Sequence, residues 1–394
     1  MPSPGRPKER VTIAAGTRIA YVIGELGTGG AEYQLYELVR GLDRTRFAAT
    51  VLALSAGGYW AERIRALGVP VIELPSRHSM ELGRLRRLRG HLRDLAPHVL
   101  HTVLWSGNAY GRLAALGLGI PVVIAAERNV IRRPGWQRLV ERALDGVTDR
   151  YLVNSAAIVD ELGAQGGLSR AKMQVVHNGI DLSALPPFDP DRTRARTALG
   201  FDPARRLVAQ VGRLEPQKDY PTFLAAAARV AARVGDVDFL VVGEGRLRGE
   251  LEGEAARLGI ADRVRFTGVR HDVPAVLGAV EVLALTSLYE GLPNAVIEAM
   301  ATGAVAVATD VGGARELVVP GETGVIVPVG RPDTVADAIA GLLEDPPRAR
   351  RMAVAARARI EEGFSVATMV QRTAALYEEC LRAAGPTLRA ASAA

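Results

Sequence analysis

Short apolar runs recur along almost the whole chain, each followed by a longer stretch whose leucines and valines return at helical spacing. The runs fall at 18–24, 48–54, 70–74, 98–104, 121–126, 150–154 and 173–177, then at 206–211, 237–242, 263–267, 281–286, 304–309 and 324–327. A strand apolar on both faces needs cover on both, and the intervening helices supply it. That pattern predicts parallel sheets, and so an α/β fold of two doubly wound domains. A length of 394 residues suits two such domains better than one. The proline-rich stretch Ser183-Ala-Leu-Pro-Pro-Phe-Asp-Pro-Asp marks the join, giving domains over 1–182 and 183–365. A last helix is expected over 366–384, beyond the second sheet, with a flexible alanine-rich tail over 385–394.

The most informative segment is 287–313, entered from the apolar run that starts at Glu281. One apolar run ends at Glu290-Gly291, a helix opens with Pro293 in its first turn, and a second run ends at Gly312-Gly313. Free N–H groups at that helix start would face an anion at the carboxyl edge of a parallel sheet. Glu290 would sit in the loop over the pocket, and Glu298 further along the helix. A phosphate cradle with two carboxylates that accept hydroxyl hydrogens suits a nucleotide sugar. Val211-Gly212-Arg213-Leu214 with Lys218 ends the first strand of the second half. An Arg and a Lys in one water-poor loop can stabilise a leaving diphosphate without a metal. Gly24 to Glu32, with Gly29-Gly30, follows the first strand and lets backbone approach a ligand closely. No Lys-Ser or Lys-Thr follows these glycines, so this is not a Walker phosphate loop. The second strand ends without an acid to hold a ribose, which argues against a dinucleotide fingerprint. A plain structural turn stays open there. Val242-Gly243-Glu244-Gly245 is a third glycine turn, and Asp236-Val-Asp238 is read as a solvated loop at the amino end of a strand, so no metal site is predicted.

Composition narrows the setting. The lone cysteine, Cys380, excludes a disulfide framework, and no run reaches transmembrane length or forms a signal-peptide core. A cytoplasmic protein with a short disordered start is expected. Residues 1–182 hold 24 Lys and Arg against 16 Asp and Glu, whereas the remainder is slightly acidic. A basic first half suggests an anionic partner. Its densest stretch, Arg84 to Arg93, carries Leu82, Leu85, Leu88, Leu92 and Leu95 at helical spacing. It reads as a surface helix docked by its leucines, or as one that also touches an anionic membrane, with Arg128, Arg132, Arg133 and Trp136 as a second cluster. Aromatics make up only 5% of the chain and do not interleave the basic residues, which argues against nucleic-acid binding.

Glu290-Gly291-x-Pro293-x4-Glu298-Ala299-Met300-Ala301-x-Gly303 resembles the signature of the retaining glycosyltransferases of family 4, which have the GT-B fold, and the likeness runs from Ile19 to about Leu381. The resemblance implies a metal-independent transfer from a UDP- or GDP-sugar, with no cofactor, to a hydroxyl acceptor that is lipid-linked or phosphorylated. Similar enzymes act on small natural products or sugar phosphates, and a nucleotide-sugar epimerase of the same fold is the rival from another class. It places Arg213 and Lys218 on the diphosphate, Glu298 on the ribose, Glu290 on the sugar, and the backbone of Leu292, Pro293 and Asn294 beside phosphate and sugar. Gly29, Gly30, Gly212 and Gly243 would line the donor, Asn178-Gly179-Ile180-Asp181 would close the first domain, and the last helix would cross back onto it. Many members carry a histidine after the fifth strand, where this chain has Glu127-Arg128-Asn129. Glu127, or His101 at the end of the preceding strand, is the candidate to take its place.

Overall fold

The computed structural model describes residues 16–76, 81–129, 134–164, 168–186, 188 and 191–385; the first 15 residues, Arg132, Arg133 and all of the tail but Gly385 lie outside them. Every predicted run overlaps a strand, with no strand starting or ending more than one residue outside its run. The first sheet holds β1 (Thr17–Ile23), β2 (Phe47–Ala53), β3 (Val71–Glu73), β4 (Val99–Val103), β5 (Val122–Glu127), β6 (Arg150–Val153) and β7 (Met173–Val175). The second holds β8 (Arg206–Val211), β9 (Val237–Val242), β10 (Val264–Gly268), β11 (Val282–Leu285), β12 (Val305–Thr309) and β13 (Gly324–Val327). Their orders are β3-β2-β1-β4-β5-β6-β7 and β10-β9-β8-β11-β12-β13, and all pairs within them are parallel.

Alternation along each strand builds two cores per sheet. In β1, Ile19, Tyr21 and Ile23 enter one cluster while Ala20 and Val22 enter another. In β8, Val208 points to one side and Leu207 and Ala209 to the other. This is why the runs carry no polar face. Strand order reverses between β1 and β4 and between β8 and β11. A crevice opens at such points beyond the carboxyl ends of the strands.

The chain passes between the sheets twice, and the two passages pair. Ile180 N donates to Phe364 O at 2.9 Å, and Val366 N donates to Ile180 O at 3.0 Å. A Cβ on Gly179 would lie 2.7 Å from the Val366 Cα, so a side chain there would push the passages apart. Ser365 then caps the helix Val366–Ala383, accepting from Thr368 N at 3.1 Å. The helix sinks Met369, Leu376, Tyr377 and Cys380 into the first sheet's core, each such burial contributing about 1.5–3 kcal/mol for a large apolar side chain.

The basic helix Leu82–Leu95 corrects one expectation. Leu88 and Leu92 are buried, but Leu82 at its start is 78% exposed. Two of its arginines turn inward: buried Arg84 donates to Leu54 O and half-buried Arg89 to Ala114 O. Arg86, Arg87 and Arg93 remain exposed. At the amino end of β9, Asp236 and Asp238 are each paired with an arginine, Arg206 and Arg205.

Candidate active site

At the second sheet's switch point, the loops leaving β8 and β11 carry the ionisable groups. Gly212 turns the chain out of β8 with φ of +155°, and a Cβ on Gly243, after β9, would sit 2.0 Å from the Gly212 carbonyl oxygen. Only glycine fits at Gly243. The turn Pro216–Lys218 brings Lys218 back to within 2.5 Å (Nζ to Oε1) of Glu290, whose Oε1 also accepts from Ser287 Oγ at 2.6 Å. The Lys218 loop is held from below. Gln210 Nε2 donates to the Lys218 carbonyl at 2.7 Å and Thr286 Oγ to the same oxygen at 3.0 Å. Arg213 stands exposed at the rim.

The Glu290 turn is packed as tightly. A Cβ on Gly312 would lie 2.0 Å from the Glu290 carbonyl oxygen, and Gly313 N donates to Gly291 O at 2.6 Å. The helix Asn294–Thr302 opens directly after it, with Pro293 as the N-cap residue rather than inside the first turn. Glu298 is half-buried on this helix, and burial pushes its carboxyl up to about 7.

The first domain closes over this wall. Gly30 begins the helix Gly30–Gly41, and its carbonyl accepts from Asn294 Nδ2 at 3.2 Å across the cleft. Glu32 folds back over Gly29, where a Cβ would meet its Oε2 at 2.2 Å. Burial raises the Glu32 carboxyl, while Arg213 and Arg128, one from each domain, pull it down. Sequence reasoning missed the hub of the contact. Asn178 Nδ2 donates to Leu292 O at 3.1 Å and to Asn294 Oδ1 at 2.7 Å, while its Oδ1 accepts from Arg128 at 2.8 Å. Gln34 grips Gly179 with both ends of its amide, each bond 2.9 Å. The Asn-Gly turn therefore does more than end the first domain: it touches the start of the helix Asn294–Thr302.

Both flanks of the cleft are closed. On one, a Cβ on Gly291 would sit 2.3 Å from the Arg128 carbonyl oxygen, and Glu316 accepts from Ala156 N and His177 Nε2, both at 2.9 Å. Burial pushes the Glu316 carboxyl up, but these bonds outweigh it and hold the group below its usual range. On the other flank, the rings of Tyr59 and His271 stack at 4.0 Å and 1°, with the Arg63 guanidinium 3.5 Å from the Tyr59 ring.

His101 and Glu127 lie inside the first domain. His101 is 1% exposed, with Nδ1 2.6 Å from the Tyr377 hydroxyl, and burial, then Arg128, push its imidazole down to about 3. Glu127, equally enclosed, accepts from Asn108 Nδ2 at 2.5 Å, and Thr102 in turn fixes Asn108 at 2.7 Å. At the first switch point Leu104 adopts φ of +61°, a strained state for a leucine and a mark of functional sites that no residue pattern reveals.

Two family models match the chain: Glycosyltransferase Family 4 over residues 28–184 and Glycosyl transferases group 1 over residues 191–359. The chain is 30% identical to the lipopolysaccharide core biosynthesis mannosyltransferase of Rhizobium meliloti over 68% of its length and 75% of the relative's. It is 33% identical to the alpha-maltose-1-phosphate synthase of Mycolicibacterium smegmatis over 72% of its length and 79% of that protein's. The crystal structure of Anabaena Alr3699/HepE in complex with UDP and glucose superposes with a TM-score of 0.82 at 23% identity, covering 92% of this chain and all of that one.

Proposed function

The chain belongs to glycosyltransferase family 4, with the GT-B fold, and from that premise we propose that it transfers a sugar from a nucleoside diphosphate to a hydroxyl with retention at the anomeric carbon. The observation that carries the reading is the Lys218–Glu290 pair at the second switch point, closed over by Gly30 and Asn178 of the first domain. In this proposal Arg213 and Lys218 neutralise the departing diphosphate, the step where preorganised cations lower the barrier most. Glu298 accepts the ribose hydroxyl hydrogens. Glu290 holds Lys218 in place and binds the sugar, as a stabiliser rather than a nucleophile. The leaving phosphate takes the acceptor proton on the face it departs from, so neither His101 nor Glu127 is assigned a proton. No metal takes part in these steps, because the two cationic side chains do that work.

The donor is proposed to be a UDP-sugar, supported by the UDP and glucose bound in the HepE structure of the same fold. The acceptor is proposed to be a lipid-linked or phosphorylated glycan; the named relatives act in lipopolysaccharide core and maltose-1-phosphate synthesis. A thermal-shift panel of UDP, GDP, ADP and dTDP with wild type, Lys218→Ala and Glu298→Ala tests the site. Ligand that binds only the folded state raises the melting point with affinity. Stabilisation by UDP, lost in both variants, is expected. A flat response to all four nucleotides would end the proposal.

A further inference from the structure

The helix Gly135–Asp145, which follows β5, leaves part of its apolar surface turned outward. Its inward residues are Glu141 and Leu144, and Glu141 is held in a buried ion pair by Arg112, 2.7 Å away on the helix Leu104–Ala115. Arg112 is itself fully buried and also bonded to Asn108 O and Thr148 Oγ, so the Glu141–Leu144 side of this helix is fixed against the domain. A second apolar stripe is turned out. Trp136 is 53% exposed and Leu139 67%, with Ala143 exposed one turn further along the same stripe. An ordinary surface helix does the reverse and buries its apolar stripe.

The charges on that outward side have one sign. Arg138 and Arg142 are exposed, whereas the acids of the helix are engaged elsewhere: Glu141 with Arg112, and Asp145 with Tyr151 and Lys172. In a βαβ unit each helix starts at the carboxyl edge of the sheet, so Trp136 lies at the cleft edge. Trp105, at the start of the neighbouring helix, meets it edge-on at 5.6 Å. Leu82 begins the next helix over, at the same edge.

We propose that the Trp136–Leu139–Ala143 stripe, flanked by Arg138 and Arg142, docks this enzyme on an anionic lipid bilayer and sets the cleft at the membrane surface. Trp and Leu enter the interface between headgroups and chains while the arginines meet lipid phosphates. The surface explains how a catalyst whose described helices are none of them long and apolar enough to cross a membrane could reach a lipid-linked acceptor. In that respect it rests on the proposed function; its geometry does not. It also moves the contact away from the Arg84–Arg93 stretch, where Arg84 and Arg89 turn inward and bond backbone carbonyls.

The test is co-sedimentation of the full chain with phosphatidylglycerol–phosphatidylcholine vesicles and with phosphatidylcholine alone, each sample also scored for UDP-induced thermal shift. Wild type is expected to partition onto the anionic vesicles. Arg138→Gln with Arg142→Gln should weaken partitioning by about thirtyfold, near fivefold per arginine, and Trp136→Ser with Leu139→Ser should abolish it. The UDP response should persist in every variant. Equal binding to both vesicle types, or variants that sediment like wild type, overturns the proposal. So does a wild-type dimer in sedimentation velocity that Leu139→Ser makes monomeric, because the face would then belong to a second copy. Loss of the UDP response with vesicle binding intact would instead sink the nucleotide-sugar reading and leave the docking surface standing.

Discussion

The two walls of the cleft are built on opposite plans. The wall of the second domain carries a paired charge in its loops: half-buried Lys218 and buried Glu290 meet at 2.5 Å, and Gln210 and Thr286 hold the loop beneath them by its carbonyls. The facing wall hides its charge. His101 bonds to Tyr377 and Glu127 to Asn108; at the centre of the cleft what reaches across is backbone and amide, the Gly30 carbonyl and the Asn178 side chain, with the His177–Glu316 pair kept to one flank. In the proposed reaction, a wall that binds a diphosphate needs preorganised cations within reach, and a wall that closes over the acceptor needs shape and neutral hydrogen bonds, because a buried unpaired charge would carry a large desolvation cost.

Substitution on each wall should separate these plans, and the largest effect is expected at Lys218. Lys218→Ala should lower kcat/KM by about 100- to 1,000-fold, the loss typical of one preorganised charge-stabilising donor. His101→Gln should leave kcat/KM of the folded enzyme near wild type while lowering the melting temperature, since its bond to Tyr377 ties the last helix to the first sheet. If His101→Gln instead removed activity without changing stability, the first wall would carry chemistry and the comparison would fail.

A pH series comes next in size. The Glu298 carboxyl is raised to about 7 by burial, so its protonated form is favoured in the free protein. Its contribution to folding stability is full below the ordinary glutamate range and is lost as pH rises through about 7. Ribose hydroxyls donate best to the ionised form. The ratio of wild-type to Glu298→Gln affinity for UDP should therefore climb severalfold between acid and mildly alkaline pH, a ratio that cancels titration of the phosphate itself. A ratio independent of pH would remove Glu298 from the ribose.

Much of this was legible in the sequence, and the reasons are local. Apolar runs covered on both faces define parallel strands, so each predicted run overlaps one. The donor motifs are read because each is contiguous, a glycine turn with a charge a few residues on. What escaped depends on contacts between distant segments. Asn178 gained its place by meeting Leu292 and Asn294 more than a hundred residues away. The inward turn of Arg84 and the outward turn of Trp136 follow from neighbouring helices rather than from spacing. Leu104 is strained by its position at a switch point, which composition does not encode.

The smallest predicted effect lies where the two walls meet without charge pairing, at the Tyr59–His271 stack. An aromatic pair of this kind contributes about 0.5–1.5 kcal/mol beyond its buried area. Because the rings belong to different domains, that energy favours the closed cleft over the open one rather than either domain's own stability. His271→Leu should therefore leave the melting temperature nearly unchanged and raise the donor KM by a few fold. Tyr59→Leu should raise KM equally but also lower the melting temperature a little, since it removes the Arg63 and Trp60 contacts as well. The double variant should add little to the KM of either, since each single change already removes the contact between the domains. Additive effects in that cycle would mean the two residues act on separate steps, and the flank would no longer count as a point of closure.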